Sequence, residues 1–152
     1  MKSNAVLEVI KKIKAKTTSS ELDQIKRDVS EQNGLADVVK NSDIFEALSA
    51  KEKEKYRKLL RVRQGRSLSG VAVIAIMPKP APCPGKCTYC PTSDIAAKSY
   101  TGYEPSARRA RQNDFDSFKI VTNRIRQLET IGHLPRKCEL IVMGGTFNSL
   151  PL

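Results

Sequence analysis

Apolar residues recur at helical spacing through the first third of the chain and give way to short continuous runs beyond it. Val6, Leu7, Val9, Ile10 and Ile13 form one stripe, with Lys11, Lys12, Lys14 and Lys16 around it, which predicts a helix with one buried face. Thr17 to Ser20 breaks that helix. Ser20, with Asp23 three residues on, is expected to cap a second helix carrying Leu22, Ile25 and Val29, and Asn33-Gly34 supplies a left-handed stop. Leu35, Val38 and Val39 read as a further short helical turn, and Asn41-Ser42 opens another over Ile44 to Leu48. Ser49 with Glu52 has the spacing of a capping box, so a charged helix should run from there to about Arg61, with Tyr56, Leu59 and Leu60 as its apolar contacts.

Gln64-Gly65-Arg66 marks a change of pattern. Val71 to Met77 is a β-branched apolar run between Gly70 and Pro78, which predicts a buried strand in a parallel sheet. Pro78 to Pro91 holds five prolines and three cysteines and can continue neither a strand nor a helix interior. Ser99 to Pro105 is loop. Helical spacing returns over Ser106 to Ile131 through Ala107, Ala110, Phe118, Val121, Ile125 and Leu128, with Asp114 to Ser117 a candidate break. Gly132-His133 ends it, with His133, the sole histidine, expected as a C-terminal cap. Leu140 to Met143 is the second buried strand and Gly144-Gly145 terminates it. The pattern therefore gives an α/β class: a helical region over 1–64, then over 65–152 a β-α-β unit whose loops gather at the carboxyl ends of its strands, where parallel folds bind ligands.

Charge and length narrow the function. Lys and Arg number 27 against 16 Asp and Glu, a net charge of +11, which favours a polyanionic partner over a merely solvated basic surface. Aromatic residues make up only 5%, so a base-stacking sheet is not indicated. No apolar run approaches the roughly 20 residues of a membrane span, and residues 1–16 lack the core of a secretory signal. A cytoplasmic chain with no membrane partner is expected. Two parallel strands cannot bury both faces of a sheet, so the β-α-β unit is expected to be incomplete.

Three of the four cysteines fall in Cys83-Pro84-Gly85-Lys86-Cys87-Thr88-Tyr89-Cys90. In a cytosolic chain this crowding points to metal or redox chemistry. Thiolates spaced x3 then x2 can reach three irons of one [4Fe–4S] cubane, leaving the fourth iron open to a small-molecule ligand. Gly85 lets the backbone curl around such a cluster, and Lys86 can favour thiolates electrostatically. Zinc is the alternative, with Cys138 as a fourth sulfur; otherwise Cys138 is expected to be a small buried apolar residue. Arg108, Arg109 and Arg111 form a basic cluster beside the Ser99–Pro105 loop, open to phosphate contact or to plain solvation.

The cysteine loop resembles that of the radical S-adenosylmethionine enzymes. Together with Arg66-Ser67-Leu68-Ser69-Gly70-Val71-Ala72-Val73, the Tyr-Thr-Gly-Tyr-Glu-Pro block at Tyr100 to Pro105, Arg109-Ala110, Gly132-His133 and Glu139-Leu140-Ile141-Val142-Met143-Gly144-Gly145-Thr146-Phe147, it resembles the N-terminal part of the Elongator catalytic-subunit family, in its single-chain archaeal form. The resemblance is nearly continuous over 66–151. Residues 1–64 look, less specifically, like that family's tRNA-binding region. The resemblance implies the opening β-α-β of a partial (β/α) barrel. It implies a [4Fe–4S] cluster on Cys83, Cys87 and Cys90, and S-adenosylmethionine at Gly144 and Gly145 with Tyr89 near its adenine. It implies tRNA as partner, with Arg108, Arg109 and Arg111 at its phosphates. The implied reaction is carboxymethylation of C5 of wobble uridine (U34), in which a radical formed on the methyl of acetyl-CoA adds to the base, followed by hydrolysis. No residue of this chain is assigned as a catalytic acid, base or nucleophile.

Three departures bear on that expectation. Pro91-Thr92-Ser93 stands where many members of the family have Pro-Gly-Gly, and Thr146 stands where many radical S-adenosylmethionine enzymes at large have Glu. The family also continues into further strands and an acetyltransferase-like domain. The chain is accordingly expected to be one piece of a split enzyme, a truncated frame or a fragment, inactive alone, with a second chain as one source of the rest. The competing readings are a non-catalytic, metal-stabilised tRNA-binding module and a radical enzyme with another substrate.

Overall fold

The computed structural model describes residues 2–145 and 147–150; Thr146, and with it the Glu-to-Thr departure, lies outside them. The chain divides into two compact units, one of residues 1–68 and 127–134, the other of 69–126 and 135–152.

The first unit carries α1 (Lys2–Lys12), α2 (Ser19–Gln32), α3 (Asn41–Ala47) and α4 (Ala50–Leu60). Ala5, Val6, Val9 and Ile13 face its core with Leu22, Val29, Val39, Ile44, Phe45, Leu48 and Leu60, while Leu7 of the expected stripe is exposed. Burial of each large aliphatic side chain contributes about 1.5–3 kcal/mol, which is what turns these short helices into a stable unit. The start of α2 differs from expectation. Thr18, not Ser20, is the N-cap: the Glu21 N–H donates to Thr18 Oγ1 at 3.3 Å, and the Thr18 N–H donates to Glu21 Oε2 at 2.7 Å. Asp23 is bound instead to Lys26, 2.9 Å away on the same helix. The Ser49–Glu52 box forms as expected at the head of α4.

Gly34, at φ +62°, ends α2 by donating to Glu31 O while Leu35 N–H reaches Ser30 O. Residues 35–40 are not helical. The buried Val39 N–H is satisfied by Ser30 Oγ at 3.1 Å rather than by a carbonyl one turn back, so Val39 enters the core from an extended segment.

The second unit holds β1 (Ala72–Ile76), α5 (Pro105–Gln112), most of α6 (Ser117–Thr130, of which 127–130 count with the first unit) and β2 (Cys138–Val142). β1 and β2 pair in parallel, Ala72 opposite Cys138 and Ile76 opposite Val142. The β-α-β connection expected from the sequence is thus present. Pro105 at the first turn starts α5 one residue earlier than expected. The helical stretch does break, at Asp114 and Phe115, both left-handed (φ +55° and +57°). Asp116 then caps α6 by accepting from Lys119 N–H at 3.0 Å. Met77, Ala96, Ala97, Ala107, Ala110 and Ile120 form the core of this unit. Phe118, expected on the buried face of the helix, is exposed, and Ile120 takes its place.

β2 also differs from expectation. It begins two residues early and every one of its residues is exposed, including Leu140, Ile141 and Val142, with Val73 of β1 exposed as well. Its sequence is that of a strand buried on both sides, but among the described residues only β1 lies beside it in the sheet. Cys138, expected to be buried, is exposed, its thiol donating to Pro135 O at 3.6 Å.

Candidate functional site

Parallel pairing brings two loops to one edge. The segment after β1 runs through Pro78–Pro91 without helix or strand, and the segment after β2 is Gly144-Gly145. Between them lies a cavity of about 340 Å³ lined by the three loop cysteines Cys83, Cys87 and Cys90 and by Tyr89, Lys98 and Gly145, among others. Gly85 stands behind two of the thiols: a Cβ there would lie 3.6 Å from Cys83 Sγ and 3.8 Å from Cys87 Sγ. Among the described residues, no three His, Cys, Asp or Glu side chains already stand around one point at metal-binding distance. The thiols share a cavity without being drawn together in it. Soft sulfur donors on an irregular loop, lining one space, are a donor set whose chemistry fits an iron–sulfur cluster. Cys138 cannot join them. It opens β2 at the amino end of the sheet, and four residue steps of strand, about 13 Å, separate that end from the carboxyl edge.

The glycine pair is explained first by packing. Gly144 has φ +120°, and a Cβ on it would stand 2.5 Å from Ala97 Cβ; Gly145 has φ +46°, and a Cβ there would stand 2.9 Å from Lys98 Cβ. Gly145 N–H donates to Lys98 O at 3.0 Å. The pair therefore makes room for the Cβ atoms of Ala97 and Lys98, and what it would offer an ammonium group is carbonyl oxygen. Tyr89 is 87% exposed on the rim of the cavity.

The remaining sequence candidates lie elsewhere. Arg108 and Arg111 are exposed on α5, Arg109 is half-buried there, and none of the three lines the cysteine cavity. His133 is 1% exposed, with Nδ1 2.7 Å from Ser67 Oγ and Nε2 2.9 Å from Val62 O. Its backbone N–H, donating to Leu128 O, completes the cap after Gly132, but its ring is a buried tie between the end of α6 and residues 62–67 rather than a surface cap. In the first unit Lys12, Lys14 and Lys16 edge an open groove with Thr17, Glu21, Gln24 and Ile25.

Two features of the site were not identified as such from sequence. Ser99 holds φ +74° and sets Oγ 3.4 Å from Cys90 Sγ. Glu104 accepts from Thr101 N–H and Oγ1, each at 2.8 Å, and from Gly102 N–H at 2.9 Å. The Thr101 amide, with the other donors of this turn, holds its carboxyl down at about 2. The Thr-Gly-x-Glu spacing was the available signal for Glu104; a left-handed serine has none.

Comparison with known proteins bears on both units. The sequence model of the ELP3 N-terminal domain matches residues 2–64. The chain is 34% identical to Elongator complex protein 3 of Schizosaccharomyces pombe over an alignment covering 99% of this chain and 31% of that protein. It is 48% identical over 84 residues to the tRNA uridine(34) acetyltransferase of Dehalococcoides mccartyi, covering 55% of this chain and 18% of that one. It is 44% identical over 114 residues to the protein of the same name from Methanocaldococcus infernus, covering 70% and 21%. The chain thus spans between 18% and 31% of the length of these relatives.

Proposed function

We propose, for a chain that belongs to the family of Elongator complex protein 3 and the tRNA uridine(34) acetyltransferases, that it forms the N-terminal part of a radical S-adenosylmethionine enzyme that carboxymethylates C5 of the wobble uridine of tRNA with acetyl-CoA as co-substrate. The observation that carries this reading is the single cavity shared by Cys83, Cys87, Cys90 and Gly145 at the carboxyl edge of a parallel strand pair.

In this reading Cys83, Cys87 and Cys90 hold a [4Fe–4S] cluster. Cluster and S-adenosylmethionine, when bound, supply a 5′-deoxyadenosyl radical able to take a hydrogen atom from an unactivated methyl. The chain's own residues position and shield. Carbonyl oxygens of Gly144 and Gly145 accept from the cofactor's ammonium group, and the exposed ring of Tyr89 gives its adenine a face to pack on. Exposed Arg108 and Arg111, with Arg109 on the same helix, neutralise tRNA phosphates, as do the lysines around the α1–α2 turn. The unit this loop belongs to is the start of a partial (β/α) barrel. We assign the acetyl-CoA chemistry to parts of the relatives that this chain does not span, and expect no carboxymethylation from it alone.

Oxygen-free reconstitution with iron and sulfide tests the reading. The expected result is about four irons per chain and a reduced-state EPR spectrum that changes when S-adenosylmethionine is added. Cys83→Ala, Cys87→Ala and Cys90→Ala should each lose the cluster. A colourless protein with one zinc, indifferent to the cofactor, would instead establish the metal-stabilised tRNA-binding module.

A further inference from the structure

We infer that Ser99 is a positioning residue for the metal centre, its hydroxyl donating a hydrogen bond to the Cys90 sulfur and so raising the reduction potential of the cluster that sulfur ligates. This inference rests on the cluster reading above and adds a residue to it.

Ser99 is not where a serine goes by default. Its φ of +74° lies in the left-handed region, which a side chain bearing Cβ rarely adopts. The surroundings impose it. Tyr100 N–H closes a turn on Ala97 O at 3.2 Å, and Ala97 is buried in the core of the second unit. Gly145 N–H takes Lys98 O at 3.0 Å, and Lys98 Nζ reaches across to Thr92 Oγ1 at 2.6 Å, beyond the third cysteine. The turn of residues 97–100 is therefore fixed to the core, to the glycine pair and to the far side of the cysteine loop. The position so fixed is the one that brings Ser99 Oγ to 3.4 Å from Cys90 Sγ.

Direction follows from chemistry. The Cys90 thiol proton has an acceptor in Pro91 O at 3.6 Å, which leaves the sulfur lone pairs to the Ser99 hydroxyl. Once Cys90 binds iron it has no proton at all, and the hydroxyl can only donate. A donor on a ligating sulfur withdraws electron density from it and favours the electron-richer, reduced cluster over the oxidised one. Ser99 also lines the cavity itself, so no other side chain need stand between the two atoms.

The experiment is a redox titration of the anaerobically reconstituted full chain, followed by EPR, on the unaltered protein and on S99A and S99G. Glycine removes the hydroxyl while suiting the left-handed backbone, and alanine removes the hydroxyl while keeping Cβ. Glycine therefore relieves the turn, alanine leaves its strain as it is with serine, and the two variants share the lost bond. Both should bind as much iron as the unaltered chain and both should shift to a more negative midpoint potential. If both load iron fully and titrate at the unaltered potential, Ser99 is a turn residue and the inference is overturned while the cluster reading stands. If the unaltered chain takes up no iron, both are overturned.

Discussion

The helical unit and the strand-bearing unit bury their apolar residues to different degrees. In the first, stripes from four helices converge on Val9, Val29, Ile44 and Leu60, each at most 1% exposed, and the polar faces are left outside. In the second, Met77, Ala97 and Ile120 make a small core on one side of the sheet, while Leu140, Ile141 and Val142 stand in solvent. The difference is one of periodicity meeting partners. A helix with a 3.6-residue apolar stripe needs one neighbour, whereas a strand that is apolar on both sides needs two covered faces. The first unit meets its requirement within the residues described and the second does not. Most of the stability of this chain should accordingly reside in the helices, and the chemistry should reside where packing is thinnest.

The largest test of that contrast is a matched pair of core truncations. Ile44→Ala, at a fully buried position, should cost about 2–5 kcal/mol in chemical denaturation of the first unit. Leu140→Ala, at a position 52% exposed, should stay within about 1 kcal/mol. Equal costs would mean that β2 is covered in solution. Hydrogen exchange gives the same comparison without mutation: amides of α2 and α4 should outlast those of β2.

A glycine pair sharpens it next. Gly34 and Gly144 both hold positive φ, but a Cβ at Gly34 meets nothing within 4 Å, whereas at Gly144 it meets Ala97 Cβ at 2.5 Å. Gly34→Ala should cost about 1 kcal/mol, the backbone term alone. Gly144→Ala should add a clash that either pushes residues 97–98 away or unpairs the glycine turn, for about 1–3 kcal/mol in all. The half-buried thiols of Cys83 and Cys90 in the neighbouring loop, labelled faster in the second variant only, would report that movement. The capping boxes come below this. Ser49→Ala should cost about 1 kcal/mol, seen as lost helicity and earlier melting of the first unit, because it leaves Glu52 N–H without its 3.4 Å acceptor.

The two regions also differed in how far their sequence could be read. Stripes, stops and the Ser49–Glu52 box are local patterns, and they place the helices to within a few residues. Where local signals competed, the residue with the better reach won: Glu21 spans back to Thr18, and Asp23, one methylene shorter, turns to Lys26. Val39 was misread as helical because its alternative partner, Ser30, lies nine residues away. In the second unit the strands, their parallel sense and the edge where the cysteine loop meets Gly144-Gly145 were all legible, since each follows from a run, a breaker and the handedness of β-α-β connections. Exposure of β2 and of Cys138 was not, because burial depends on what else is present. Ser99 was invisible for a related reason: its conformation is imposed by Ala97, Gly145 and Thr92, contacts that no spacing rule connects.

The smallest effect concerns acid, and it again separates the units. Glu21 and Glu52 are lowered from 4.5 by hydrogen bonds from Thr18 and Ser49, and Glu104 is lowered to about 2 by Thr101 and its neighbours. A carboxyl depressed in the folded state stabilises the fold fully above its unfolded value and loses that contribution as pH falls through its folded one. For Glu104 the window therefore runs from about 4.5 down to about 2. Because the group is open to solvent, salt should weaken the effect and its share of global stability should be slight. Locally it should be plain. The amide resonances of Thr101 and Gly102 should stay fixed from neutral pH to well below 4.5 and move only as Glu104 protonates, while Glu104→Gln removes that late step and leaves the acid response of the first unit unchanged. A Glu104 carboxyl that titrates at its ordinary 4.5 would mean that the turn beside Ser99 is not held in this geometry in solution, and that the second unit is loose at its loops as well as along its sheet.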